Sequence, residues 1–197
     1  MATLKRIVSY FNKDVLIFIS FLCLTIIEKI IPHLPNFSPE LAFSIYLVMR
    51  YKKMLAIFSI FLMWLLCDFY YALIHNAPVL GNWALLTYSA LLILVLFFSV
   101  FRFKKNNAIF IFLSILASSF FWLWTNFGVW LFSGMYFHSV AGLIACYVLA
   151  LPFLGYSLIS AIFWSTAITI VDYFSRININ WEKLYIYVPI HLDSEGG

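Results

Sequence analysis

Asp68 is the residue best placed to do chemistry in this sequence, because it lies inside an otherwise apolar run, Met54–Ile74. A carboxyl group in hydrocarbon is costly and normally faces a bundle interior or a water-filled cavity. Trp64, Asp68, Tyr71 and His75 follow one another at i, i+4, i+7 and i+11, one face of a helix. A second run, Ala108–Phe132, carries Ser114, Ser118, Trp122, Asn126 and Trp130, each four residues after the last, on a face that drifts slightly around the axis. Asp68 and Asn126 each lie six residues before the end of their runs. Each is therefore about 9 Å below that end at the helical rise, and matched depth is what a shared site requires. The chemistry on offer is recognition of a small molecule. Asp68 and Asn126 supply oriented hydrogen bonds, and Trp122, Trp130 and Tyr136 supply stacking surface. Asn36, Tyr71 and His75 complete the candidate substrate-binding set, with the segment Pro35–Pro39 as a rim or lid.

Catalysis and metal binding find less support. The sequence has no H-E-x-x-H, no G-x-S-x-G, no pair of acids at helical metal spacing and no Walker-type nucleotide motif. Asp68 and His75 stand seven residues apart, about 10 Å along a straight helix, so acid–base work between them needs a bend. His33, His75 and His138 fall at one boundary of the apolar runs and read as scattered polar loop residues. Cys23, Cys67 and Cys146 lie in apolar runs without C-x-x-C spacing and read as small hydrophobes. Glu28 reads as a snorkelling acid. Ser157, Ala161 and Ser165 read as a small-residue ladder for close helix packing. Neither an enzyme, a metal nor a cofactor is expected.

The elements that must position these residues follow from composition. Of the 197 residues 65% are hydrophobic and 10% charged, against about 25% charged in a soluble domain, and the mean hydropathy is +1.01. This excludes a soluble globular protein and a disordered one, and predicts an all-α, polytopic integral membrane helix bundle. Apolar segments run over Asp14–Ile31, a short Pro39–Met49, Met54–Ile74, Ala84–Phe101 and Ala108–Phe132, followed by a composite Val140–Ser175 containing Pro152. Read as broken at the proline, the last gives a short re-entrant or interfacial helix, Val140–Leu151, and a sixth transmembrane helix, Phe153–Ser175. Three prolines in Pro32–Pro39 exclude a regular helix and impose an extended path.

With a cytoplasmic N-terminus and six crossings, eleven of the twelve basic residues fall on the cytoplasmic side and only Lys29 stays outside. The net charge of +4 is therefore topological, with no nucleic-acid partner expected. The basic N-terminus precedes an uncleaved first span, because no small-residue cleavage site follows. Residues 1–177 form a single transmembrane domain and 178–197 a short cytoplasmic tail, with both termini cytoplasmic.

The segments Thr125–Trp130, Met135-Tyr136, Gly142–Tyr147 and Ala150–Phe153, with Pro35–Pro39, Ala42 and Asp68 before them, resemble a family of uncharacterised bacterial membrane transport proteins. That family is distantly similar to the substrate-binding S components of energy-coupling-factor (ECF) vitamin transporters. The resemblance covers about Pro35 to Ser165. The chain departs from it at Phe137 and Ala161, and its first segment lacks an Ala-x-x-x-Ala pair. The resemblance implies a multi-pass protein of the bacterial inner membrane that takes up a small molecule, a vitamin or cofactor precursor, from the outer side. Its partners would be lipid, the substrate and an energising transporter module. Two other readings stay open: a non-transporting scaffold or assembly protein, with a dry and filled interior, and an intramembrane enzyme.

Overall fold

A computed structural model describes residues 18–31, 34–50, 53–76, 78–81, 84–101 and 106–176. The expectations for the N-terminal segment before residue 18, for His33 and for the 178–197 tail lie outside the described residues. The described chain is all-helical. Helix α1 covers 18–30, α2 Glu40–Arg50, α3 Lys53–His75, α4 Ala84–Val100, α5 Asn107–Phe132 and α6 Val140–Arg176. Three of them, α3, α5 and α6, are long and apolar enough to cross a membrane, and α4 is a shorter apolar helix.

The helix count differs from the expected six spans plus a short helix. The separate re-entrant piece over Val140–Leu151 does not exist, because α6 runs unbroken for 37 residues with Pro152 inside it. A proline removes one backbone donor and crowds one carbonyl, and neighbouring helices can make up such a local loss in an apolar bundle. The carbonyl left without its helical donor is that of Val148, and close to it the indole Nε1 of Trp122 on α5 donates to the carbonyl of Ala150 at 3.0 Å, tying α6 to α5 beside the proline.

Helix α2 is short and central. It packs against α3, α4, α5 and α6, and it buries Ala42, Phe43, Ile45, Tyr46 and Leu47. Phe43 stacks on Phe21 of α1 with ring centroids 3.8 Å apart, and Tyr46 meets the edge of Phe110 of α5 at 5.9 Å. Ile60 and Met63 of α3, Leu94, Val95 and Phe98 of α4 and Ala117 of α5 complete this core. The helix starts where the carbonyl of Pro39 accepts from the Phe43 amide at 2.9 Å. Glu40 stands in the first turn and Arg50 in the last, each at the end its charge favours.

The chain entering α2 is a turn, not the extended path expected of its prolines. The Phe37 amide donates to the Leu34 carbonyl at 3.0 Å, with Pro35 and Asn36 central and Asn36 at φ 60°. Proline followed by a residue of positive φ is the pattern of a type II turn, and asparagine tolerates that conformation better than most residues. The turn delivers Ser38 to Ser160, near the middle of α6. The Ser160 hydroxyl accepts from the Ser38 amide and donates to its carbonyl, both at 2.9 Å. At the other end of α2, Asp172 of α6 accepts from Arg50 Nη2 and from the Tyr46 hydroxyl, both at 2.9 Å. Thus α2 occupies only part of the bundle's length, and its N-terminus lies beside the middle of α6.

Candidate functional site

The space that α2 leaves unfilled is a cavity of about 460 Å³, and all six helices contribute to its wall. Lys29 comes from the end of α1, Asn36 and Ser38 from the turn, and Glu40, Leu41 and Ala42 from the first turn of α2. Trp64 and Asp68 come from α3, Thr87 from α4, Ser118, Phe121, Trp122, Thr125 and Asn126 from α5, and Ser157, Ser160 and Ala161 from α6. A volume of this size is within the usual range for small-molecule sites, about 300–1,000 Å³.

Of the eight residues singled out in the sequence, the structure brings Asp68, Asn126, Trp122 and Asn36 to this cavity. Asp68 Oδ2 accepts a 2.6 Å hydrogen bond from the Tyr88 hydroxyl of α4. Asn126 Nδ2 donates to the Trp122 carbonyl one turn earlier at 2.8 Å, which leaves its amide oxygen outside that bond. Trp122 is held by its bond to Ala150 and by the ring of Tyr147 at 5.3 Å.

The other four lie elsewhere. Tyr71 and His75 meet at 4.3 Å with their rings tilted by 36°, and both are exposed. Since α3 runs unbroken to His75, Asp68 and His75 stay about 10 Å apart along its axis. Trp130 donates from Nε1 to the Phe137 carbonyl at 3.0 Å and meets the edge of His138 at 5.6 Å. It braces the connection between α5 and α6, where the half-buried Tyr136 also lies. The four-residue ladder on α5 drifts enough that only Ser118, Trp122 and Asn126 reach the wall. Ser114, above them in the ladder, is buried and back-bonds to Phe110.

Sequence reading missed the ion cluster at the mouth of α2. Lys29 Nζ lies 2.8 Å from Glu40 Oε1 and 3.3 Å from Glu28 Oε2. The two glutamates are buried, with side chains 4% and 6% exposed for Glu40 and Glu28. The second oxygen of Glu40 and the indole Nε1 of Trp64 are buried without a hydrogen-bond partner. Each of Lys29 and Glu40 reads in sequence as an ordinary charge at the end of an apolar run. The available signal was the rule that ionisable groups among apolar helices pair with one another. Ser157 and Ala161, read as packing residues, lie on the cavity wall, while Ser165 is fully buried and back-bonds to Ala161.

Cys67 and Cys146 are buried and Cys23 is exposed, all as free thiols. Among the described residues no group of three His, Cys, Asp or Glu side chains is arranged to hold a metal ion. The wall offers a small molecule the charged groups of Lys29, Glu40 and Asp68 and the aromatic rings of Trp64, Phe121 and Trp122.

Residues 9–179 match the family model described as a family of unknown function, DUF6580, and the chain belongs to that family. No curated protein and no solved structure matches it.

Proposed function

We propose that this member of DUF6580 is a transport protein of the bacterial cytoplasmic membrane that takes up a small molecule from the outer side. In this reading it acts as a substrate-binding subunit similar to the S components of ECF vitamin transporters. The single observation that carries the reading is the cavity of about 460 Å³ at the centre of an apolar helical bundle, with Asp68 and Asn126 both on its wall. A scaffold gains nothing from empty space lined by costly polar groups, because unfilled volume forfeits packing. A carrier needs that space. The short α2, beginning beside the middle of α6, also suits the reading, since transporters often build their sites where a discontinuous helix begins inside the bundle.

In this proposal Asp68, Asn126, Trp122 and Asn36 contact the substrate. Trp130, Tyr136, Tyr71 and His75 lie off the cavity and act at its approach or at the membrane boundary. The reading puts both termini in the cytoplasm and the N-terminus of α2 toward the outside, and the eleven of twelve basic residues that then fall on the cytoplasmic side support it. Lipid surrounds the bundle, and an energising transporter module is the expected protein partner.

The test is mass spectrometry of small molecules that co-purify with the detergent-solubilised protein. Asp68→Asn, Asn126→Ala and the cavity-filling Ser157→Trp are run beside the parent. We expect one compound enriched with the parent and lost at least tenfold in all three variants, each of which keeps its thermal transition. A compound retained equally by Ser157→Trp binds elsewhere, and that result overturns the reading.

A further inference from the structure

The charges around the cavity do not balance. Among the described residues on the cavity wall, Lys29 supplies one ammonium, which is bound to the carboxylate of Glu40, and Asp68 adds a second carboxylate. The remaining described pair, Arg50 with Asp172, is at the far end of α2 and neutralises itself at 2.9 Å. Two carboxylates therefore stand against one ammonium among the described residues of the wall. Glu40 carries the imbalance most directly. It is 3% exposed and lies on the cavity wall. One of its oxygens is bound to Lys29 and the other has no partner. A buried carboxylate oxygen is seldom left so, and the missing partner is a donor or a positive charge.

The aromatic part of the cavity wall has matching chemistry. Trp64 and Phe121 pack with ring centroids 5.5 Å apart, and Trp122 lies one position along α5. Aromatic faces attract cations, tryptophan most strongly, and the attraction grows when water is excluded. Trp64 also brings an indole N–H without an acceptor. An inorganic cation would satisfy the carboxylates but would leave that N–H and the aromatic faces unused.

We propose that the cavity takes a small organic cation, an ammonium or amidinium carried on a flat ring, with Glu40 and Asp68 as counter-charges and Trp64, Phe121 and Trp122 as its stacking surface. The proposal rests on the reading of the cavity as a substrate site and specifies the class of substrate. Lys29 holds Glu28 and one oxygen of Glu40 in place, and the ligand completes the second oxygen. A ring acceptor on the ligand would meet the Trp64 N–H.

The experiment uses the full chain in phosphatidylcholine nanodiscs, with empty discs as the blank. Benzamidinium, benzamide and benzoate, which share one shape and differ in charge, are titrated against tryptophan emission. We expect saturable quenching by benzamidinium and at least tenfold weaker binding of the other two. Glu40→Gln and Asp68→Asn should each weaken benzamidinium at least tenfold. Thr125→Lys, which adds a positive charge to the wall, should reverse the preference toward benzoate. Two variants are used so that the result survives if one of them fails to fold. If benzamide or benzoate binds as tightly as benzamidinium, or if neither carboxylate variant changes the affinity, the cation proposal falls. Should that binding still be lost in Ser157→Trp, the cavity remains a binding site and only the charge preference is refuted. If none of the three probes binds, the cation proposal also falls, and the co-purification experiment judges the cavity by itself.

Discussion

Two ionic contacts at opposite ends of α2 do different work. At the C-terminal end Asp172 accepts from both Arg50 and Tyr46. The Arg50 and Asp172 side chains are 16% and 12% exposed, and the guanidinium also lies 5.9 Å from the Tyr46 ring centroid. A pair this buried costs about 3–5 kcal/mol when one partner is removed, whereas replacing both by apolar groups is often close to neutral. Asp172→Asn should therefore lower the thermal transition clearly, and Arg50→Met with Asp172→Leu should recover most of the loss. A double-mutant cycle of Arg50→Met and Asp172→Leu in detergent reads this directly, and a double variant that loses the sum of the two single losses would mean the pair is not coupled. At the N-terminal end Lys29 lies between Glu28 and Glu40, and the second oxygen of Glu40 is buried without a hydrogen-bond partner. Helix arithmetic on two apolar runs puts Asp68 and Asn126 at one depth, and the structure places both on one cavity. The Lys29–Glu40 contact was not legible, because the two residues are separated by a proline-rich segment whose folding into a turn depends on Asn36 at φ 60°.

At the scale of elements, close approaches of backbone decide how the helices pair. Gly128 of α5 receives the side chain of Leu86 from α4, and Gly142 of α6 receives the backbone carbonyl of Phe137. Both sites would crowd an added methyl group, but the neighbours differ in what they can yield. A leucine side chain can change rotamer, while the carbonyl of Phe137 is fixed by its bond from Trp130. Gly128→Ala should cost about 1–3 kcal/mol, the usual range for overpacking, and should be relieved by Leu86→Ala. Gly142→Ala should cost more and should not be relieved by any side-chain change at residue 137. Thermal unfolding of the four variants checks the order, and equal losses at the two glycines would refute it. The apolar runs made the helices legible to within a residue or two wherever polar residues bounded them. At Pro152 the same reading failed. A proline breaks a helix where water can take up the freed carbonyl, but α6 continues because it is packed along α5 over many turns.

For the whole molecule, the legible part was the partition between apolar helices and basic connections, since both are properties of composition along the chain. The cavity was not legible as a shape. It exists because α2 is only 11 residues long, and a short helix at the centre of longer ones must leave volume beyond its end. Sequence shows the shortness but not the central place. Small residues on α6 were assigned to packing for the same reason: Ser157 and Ala161 have the spacing of an interface, and only the position of α2 turns that face toward empty space. The opposite extreme of length has its own consequence. The apolar part of α6, Val140–Phe174, spans 35 residues, about 52 Å of helix, against a hydrocarbon layer about 30 Å thick. Such a mismatch is accommodated by tilt, by local thickening of the bilayer or by protrusion, at a modest cost per ångström. In a bilayer, the stability of the protein should therefore depend on acyl-chain length. In vesicles of phosphatidylcholine with chains lengthened from 14 to 22 carbons, its thermal transition should rise toward the longer lipids, and a flat profile would show that α6 leaves the membrane before its apolar length is spent.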